Sequence, residues 1–250
     1  YNRFLFVGLG GSGGSTLGHL KNNIKQWLEE NGQPADIPEG WQFLHIDTPS
    51  KSDIPPDLKL LDHEYLGLIP HSGMPFSDVG PALINQVALH KDLETWCVDP
   101  INYPYALGTG AGQYRAIGTT VAMNYASKIK AALVAAYSRL NSNGAKASLS
   151  TLYTAVTGIS SNNASPLRVV LVSSLAGGSG AGMLMTVADI MRALGEEGSN
   201  EIFGILYTPD AFGQDSSFSG TTPNSLAAIS EILNGHWWGG SGVGTESSPQ

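Results

Sequence analysis

The sequence predicts a doubly wound α/β domain on a mostly parallel sheet, and three observations carry that prediction. Short apolar runs alternate with segments of helical period along the chain. The run 167–172 (LRVVLV) is apolar but for Arg168 and rich in β-branched residues, as expected of a parallel strand covered on both faces. Three glycine-rich stretches, at 8–15, 108–113 and 176–182, each precede a helical segment. In such sheets ligands bind where strands hand over to helices at their carboxyl ends.

The elements follow in order. Residues 3–7 (RFLFV) form a strand ending at Gly8, and Leu17, Leu20, Ile24, Trp27 and Leu28 share one face of a helix over 17–30. Residues 41–46 (WQFLHI) form a second strand ending at Asp47, followed by a Pro-rich connection over 49–81. A helix over 80–96 carries Leu83, Ile84, Val87, Leu89 and Leu93. The second glycine stretch leads into a long helix over 117–140, which the Asn- and Ser-rich residues 141–148 close as a loop. After the strand 167–172 and the third glycine stretch come a helix over 183–194 and a strand over 202–206 (IFGIL). Residues after Leu233 show no period and read as loop or a truncated end. The stretch 169–188 has no charged residue, but its central glycines and serines divide it into strand, loop and helix and argue against a membrane span.

Composition narrows the function classes. With 42 % hydrophobic residues in 250, the chain can bury a sizeable core. Its net charge of −8 offers no electrostatic footprint for nucleic acid, so any phosphate it binds must be held by backbone amides. The single cysteine, Cys97, makes no internal disulfide, and there is no basic, apolar leader, which sets a cytoplasmic location as the expectation. His19, His45, His63, His71 and His90 lack metal-ligand spacing and read as core or surface residues. The 31 glycines, against about 7 % in an average protein, are the informative residues.

The first glycine stretch fits two patterns. Gly8, Gly10 and Gly13, with Asp47 ending the next strand, match a dinucleotide fingerprint, although Asp47 lies further along than usual. Gly10, Ser12 and Gly14 match a hydrolase nucleophile elbow, with Asp210 and His236 in the right chain order, but the elbow would follow the first strand and His236 falls in the unpatterned tail. No Lys-Ser or Lys-Thr closes any glycine stretch, which excludes a Walker loop. A dinucleotide needs one phosphate-cradling turn, whereas three suit a polyphosphate held by amides and by a helix dipole.

These stretches resemble the tubulin/FtsZ superfamily of GTPases. Ala176-Gly177-Gly178-Ser179-Gly180-Ala181-Gly182 is similar to its signature Gly-Gly-Gly-Thr-Gly-Thr/Ser-Gly run, with Ser179 in place of threonine. The opening FVGLGGSGGSTLGHL is similar to the first turn of FtsZ, with Ser15 where FtsZ has asparagine. Gly108-Thr109-Gly110-Ala111-Gly112-Gln113 resembles the γ-phosphate loop, and Asp47-Thr48 the loop after the second strand. Thr208-Pro209 resembles the entry to the ribose-facing loop, and Pro223-Asn224 resembles a pair in tubulin whose asparagine touches the guanine base. The likeness runs in order from Tyr1 to Leu233.

The resemblance implies a Rossmann-like nucleotide-binding domain over 1–233, with 234–250 a loop or the start of a segment leading to a missing C-terminal domain. It implies GTP or GDP held by Gly8, Gly10, Gly11, Ser12, Gly13, Ser15, Asp47, Thr48, Gly110, Ala111, Gly112, Gln113, Gly177, Gly178, Ser179, Gly180, Ala181, Gly182, Asp210 and Asn224. Mg²⁺ is expected through phosphate and water, with no direct protein ligand. Asp47, Asp210 and Asp215 are expected near ribose and phosphate. The family's acidic activating pattern is not found, so a neighbouring subunit is expected to complete hydrolysis, through self-association into filaments or oligomers or through another protein partner. A side chain at Gly178 or Gly180 is expected to weaken nucleotide binding far more than folding. The Pro-rich connection and Trp237-Trp238 point to a divergent prokaryotic tubulin-like protein. A dinucleotide-binding oxidoreductase and a nucleotide-stabilised scaffold without turnover remain the alternatives.

Overall fold

A computed structural model describes residues 1–69, 74–87, 99–103, 107–160, 167–194, 201–212 and 220–237. In chain order these form β1 (Phe4–Leu9), α1 (Gly10–Glu30), β2 (Trp41–Asp47), β3 (Tyr65–Gly67), α2 (Phe76–Val87), α3 (Arg115–Asn124), α4 (Ala126–Leu140), α5 (Asn143–Thr157), β4 (Arg168–Ser174), α6 (Ser179–Leu194), β5 (Glu201–Tyr207) and α7 (Thr221–Trp237), joined by short 3-10 turns. The strands pair in parallel, in the order β3-β2-β1-β4-β5.

Side chains alternate along each strand and so sort into two cores. Leu5, Val7, Leu44, Ile46, Val169 and Leu171 join the larger one, against Ile117 and Val121 of α3, Ile129 and Leu133 of α4, and Met183 and Val187 of α6. Phe6, Phe43, Val170 and Val172 face the other way, against Leu17, Leu20 and Ile24 of α1. Strand order reverses between β1 and β4, so right-handed crossovers must place α1 and α6 on opposite faces. α1 lies on the smaller core, and α6, with α3 and α4, on the larger. The doubly wound, parallel α/β class expected from the sequence is the architecture observed.

Two glycine stretches are helix where loop was expected. α1 begins at Gly10 and not at residue 17, and α6 begins at Ser179 and not at residue 183. Glycine's poor helix propensity is overridden by proximity. A Cβ on Gly13 would stand 2.6 Å from the Val172 carbonyl oxygen, so only a bare backbone lets the first turns of α1 lie on the sheet. In the same way, a Cβ on Gly182 would stand 2.3 Å from the Arg115 carbonyl oxygen, where α6 meets α3.

Other differences have local causes. The expected helix over 117–140 is two helices, because Tyr125 leaves helical geometry at φ −103° and ψ 20° and α4 turns to cover β1 and β2. Residues expected to close it as a loop instead start α5: Ser142 Oγ accepts from the Ala145 N–H at 3.0 Å, and Gly158 ends the helix at φ +72°. The Asn- and Ser-rich signal was cap chemistry. β3 was not anticipated. α2 begins before residue 80 and is described to Val87, while Leu89, Leu93, Cys97 and the rest of 88–98 lie outside the described residues. α7 continues past Leu233 to Trp237, and 238–250 lie outside the described residues. The uncharged stretch 169–188 is shared between β4 and α6, and among the described residues no helix is long and apolar enough to cross a membrane.

The Pro-rich connection is anchored by a buried ion pair. Lys21 Nζ of α1 donates to both oxygens of Glu64, at 2.7 and 2.5 Å, and Glu64 also accepts from the Leu61 N–H. Lys21 sits 5.4 Å from the Phe43 ring centroid. Removing one member strands a buried charge, whereas removing both does not. Lys21→Met is therefore expected to cost about 3 kcal/mol in urea unfolding, and the double variant with Glu64→Leu to recover most of that loss.

Candidate functional site

The strand order reverses at the carboxyl ends of β1 and β4, and a cavity of about 190 Å³ opens there. Its lining comes from every glycine stretch and from the loop after β2: Leu9, Gly10, Gly11, Ser12, Asp47, Asp53, Gly110, Ala111, Gly112, Ser174, Gly177, Gly178, Ser179 and Gly180. α1 and α6 both begin at its rim, with no acidic residue in either first turn and no side chain capping α1. The first amides of a helix have no intrahelical acceptor, and the dipole adds partial positive charge there. The cavity is therefore suited to an anion. Among the described residues no lysine or arginine lines it.

Close backbone approach holds the loops together. Gly10, at φ +65°, occupies a conformation that residues with a Cβ rarely adopt, and a Cβ there would stand 2.8 Å from the Gly180 nitrogen. The Gly178 N–H donates to the Gly112 carbonyl at 2.8 Å, and a Cβ on Gly178 would meet that oxygen at 2.4 Å. Ser179 Oγ accepts from the Ala111 N–H at 3.1 Å and shares a hydrogen bond with Thr48 Oγ1 at 3.0 Å. One buried hydroxyl thus ties the loop after β2 and the loop before α3 to the start of α6.

α7 is strung to the same loops. Asn224 Nδ2 donates to the carbonyls of Gln113 at 2.7 Å and Ala176 at 3.0 Å. Both partners can only accept, which sets the amide's orientation. Gln113 Oε1 accepts from the Gly220 N–H at 2.7 Å. Deeper in, Arg115 forms a two-pronged ion pair with Glu231, and burial lowers its guanidinium to about 10, still charged at neutral pH. On the other side Asp47 Oδ1 accepts from the Thr48 N–H at 2.7 Å. The Tyr65 hydroxyl donates to the Pro49 carbonyl, and burial, then the charges of Asp47 and Asp53, push its pKa well up.

Of the residues expected in the site, Gly10, Gly11, Ser12, Asp47, Gly110, Ala111, Gly112, Gly177, Gly178, Ser179 and Gly180 come together around the cavity. Gly8 and Gly13 pack on each other behind it, and Thr48, Gln113 and Asn224 brace it. Ser15, Ala181, Gly182 and Asp210 do not line it, and Asp210 is exposed in a 3-10 turn, accepting from Thr208 Oγ1 at 3.4 Å. Asp215, His71 and His90 lie outside the described residues. Asp53, Ser174 and Leu9 line the cavity without having been anticipated. The sequence held a signal for Asp53, an acid six residues after Asp47 in a Pro-rich segment that must fold back. The elbow reading does not assemble: Asp210 is absent from the cavity that Ser12 lines, and His236 belongs to α7 and not to an unstructured tail. Among the described residues no group of His, Cys, Asp and Glu could by itself hold a metal ion.

A family model described as "Tubulin like" matches residues 5–248. No curated protein matches the chain. Among solved structures it is similar to CetZ2 of Haloferax volcanii in a GTPgS-bound protofilament, with 16 % identity, a TM-score of 0.42, and coverage of 91 % of this chain and 56 % of that one. It is similar to CetZ1 of Haloferax volcanii as a GDP-bound monomer, with 11 % identity, a TM-score of 0.45, and coverage of 91 % and 47 %. It is also similar to TubZ of Clostridium botulinum phage c-st with its C-terminal tail truncated, with 15 % identity, a TM-score of 0.44, and coverage of 91 % and 48 %. The chain spans about half the length of these solved structures.

The glycines divide into two experimental classes. A Cβ on Gly177 would meet no atom within 4 Å, whereas one on Gly178 would strike backbone. A Cβ on Gly180 would also meet backbone, the Leu9 carbonyl oxygen, at 2.8 Å, so a side chain at Gly178 or Gly180 carries a packing cost beside any effect on ligand. Gly178→Val is expected to lower the melting temperature by on the order of 5 °C. Gly177→Val should melt close to the native protein; thermal denaturation of the two variants decides it.

Proposed function

The chain belongs to the tubulin-like family, and on that premise we propose that it is a GTP-binding domain whose cavity at the sheet's switch point takes the polyphosphate. The observation that carries this reading is the convergence of three glycine stretches on one cavity faced by two helix N-termini. A dinucleotide domain would need only the first stretch. At about 190 Å³ the cavity is smaller than a pocket for a whole drug-sized ligand, so ribose and base lie outside it. GTP or GDP then contacts main chain from Gly10, Gly11, Ser12, Gly112, Gly177, Ser179 and Gly180, the amides of Gly110, Ala111 and Gly178 being engaged by Leu107, Ser179 and Gly112.

Asp47 and Asp53 bring negative charge to the same cavity. A triphosphate adds more, and carboxylate oxygens and water suit Mg²⁺. We assign Mg²⁺ to the phosphate oxygens, with Asp47 and Asp53 reaching it through water; when bound, it neutralises phosphate charge. The cradle orients and holds the phosphates, but in-line attack also needs a group that positions water. A neighbouring subunit supplies that group in this reading, so assembly into filaments or oligomers and GTP turnover go together.

Asn224 has a narrower role than a residue that both donates to and accepts from the base. Its amide donors are committed to Gln113 and Ala176, leaving Oδ1 to accept from a guanine N–H. GTP is therefore expected to bind about tenfold more tightly than ATP or NAD in calorimetric titration, the size of one hydrogen bond. Equal ATP affinity would remove the guanine assignment, and binding of NAD alone would favour the oxidoreductase reading.

Shared catalysis has its own signature. Phosphate release per molecule should be negligible in dilute protein and rise with protein concentration. Turnover independent of concentration would place the water-positioning group within this chain, and binding with no turnover at any concentration would favour the scaffold.

A further inference from the structure

His45, on β2, is 1 % exposed. Its ring lies flush against the first turns of α1: a Cβ on Gly14 would stand 2.3 Å from His45 Cε1. The Tyr65 ring packs edge-on against it, with centroids 5.0 Å apart. Its Nε2 stands 3.0 Å from the Gly10 carbonyl oxygen. A carbonyl only accepts, so Nε2 carries the proton in this contact. Asp47 Oδ2 is 3.7 Å from the same nitrogen, beyond hydrogen-bonding distance.

That bond has a consequence at the next atom pair. No peptide among the described residues is cis, and in a trans peptide the C=O and the following N–H point in opposite directions. Drawing the Gly10 oxygen toward His45 and the sheet turns the Gly11 N–H away from them, toward the cavity that Gly11 lines. Gly10 and Gly11 open α1, so the Gly10 carbonyl, with two lone pairs, can accept within the helix and from His45 together. Gly10 sits at φ +65° and is followed by a second glycine, so the first turn has no side chain of its own to fix it, and His45 holds it from the sheet.

We propose that His45 is a positioning residue for the phosphate site: it holds the Gly10–Gly11 peptide with the Gly11 amide aimed at the bound anion before the anion arrives. Preorganised donors of this kind bind charge without reorganising. The inference rests on the reading of the cavity as a polyphosphate site.

The test measures binding of GTP and of tripolyphosphate, which lacks a base, by calorimetry with Mg²⁺ present, on native protein and on His45→Leu, His45→Gln and His45→Asn. Glutamine can place an N–H near the position of Nε2, and asparagine near Nδ1. His45→Leu and His45→Asn are expected to weaken both ligands about tenfold, one hydrogen bond to a charged group, and His45→Gln to stay within about threefold of native. Because the loss lies on the phosphate side, the ratio of GTP to tripolyphosphate affinity should not change. If His45→Leu fails to fold, the glutamine and asparagine variants still decide, since a merely space-filling role would not separate them by the reach of the donor. Equal affinities for those two variants, or native affinity in a folded His45→Leu, would overturn the role of His45 alone. A native protein that binds neither ligand would overturn the polyphosphate reading, and this inference with it.

Discussion

The first amides of α1 and α6 have no acceptor inside their own helices, and both helices begin at the same place. That constraint shapes the rest of the site. A reversal of strand order puts the ends of β1 and β4 side by side, so two sets of unpaired donors and two dipoles meet at one cavity. The glycines follow from geometry as much as from ligand chemistry: backbones that approach this closely leave no room for a Cβ at Gly13, Gly178 or Gly182.

Side chains around the cavity serve largely as braces. Ser179 joins the loop after β2 and the loop before α3 to the start of α6, and Asn224 and Gln113 tie α7 to the other loops. Each brace uses a neutral group on a main-chain partner or, for Thr48, a hydroxyl; Ser179 and Gln113 engage the amides of Ala111 and Gly220, whereas Asn224 engages only carbonyls. The charged side chains that line the cavity, Asp47 and Asp53, are acidic. Charged pairs do their structural work further out: Lys21 with Glu64 pins the Pro-rich connection to α1, and Arg115 with Glu231 pins α3 to α7.

Much of the fold was legible because its signals are local. A short, β-branched-rich apolar run such as 167–172 favours a strand covered on both faces, and the helical periods of 17–30 and 183–194 mark real helices. What misled were residues with two uses. Asparagine and serine at 141–148 suit a loop and equally an N-cap, and only the Ser142 to Ala145 contact decides for the helix. Glycine at 10–14 and 179–182 reads as loop by propensity, yet it is helix because packing on sheet and neighbouring helix outweighs roughly 1 kcal/mol per residue.

By itself the sequence determined the alternation of strands and helices, the three glycine stretches and the net negative charge. These are properties of composition and short spacing. Tertiary structure alone decided that the stretches share one cavity, that Gly178 is a packing residue while Gly177 opens on the cavity, that Asn224 spends its donors on protein, and that His45, read simply as a core or surface histidine, reaches Gly10. Each depends on the distance between residues far apart in the chain, and that distance is set by strand order and helix packing, which no local pattern encodes.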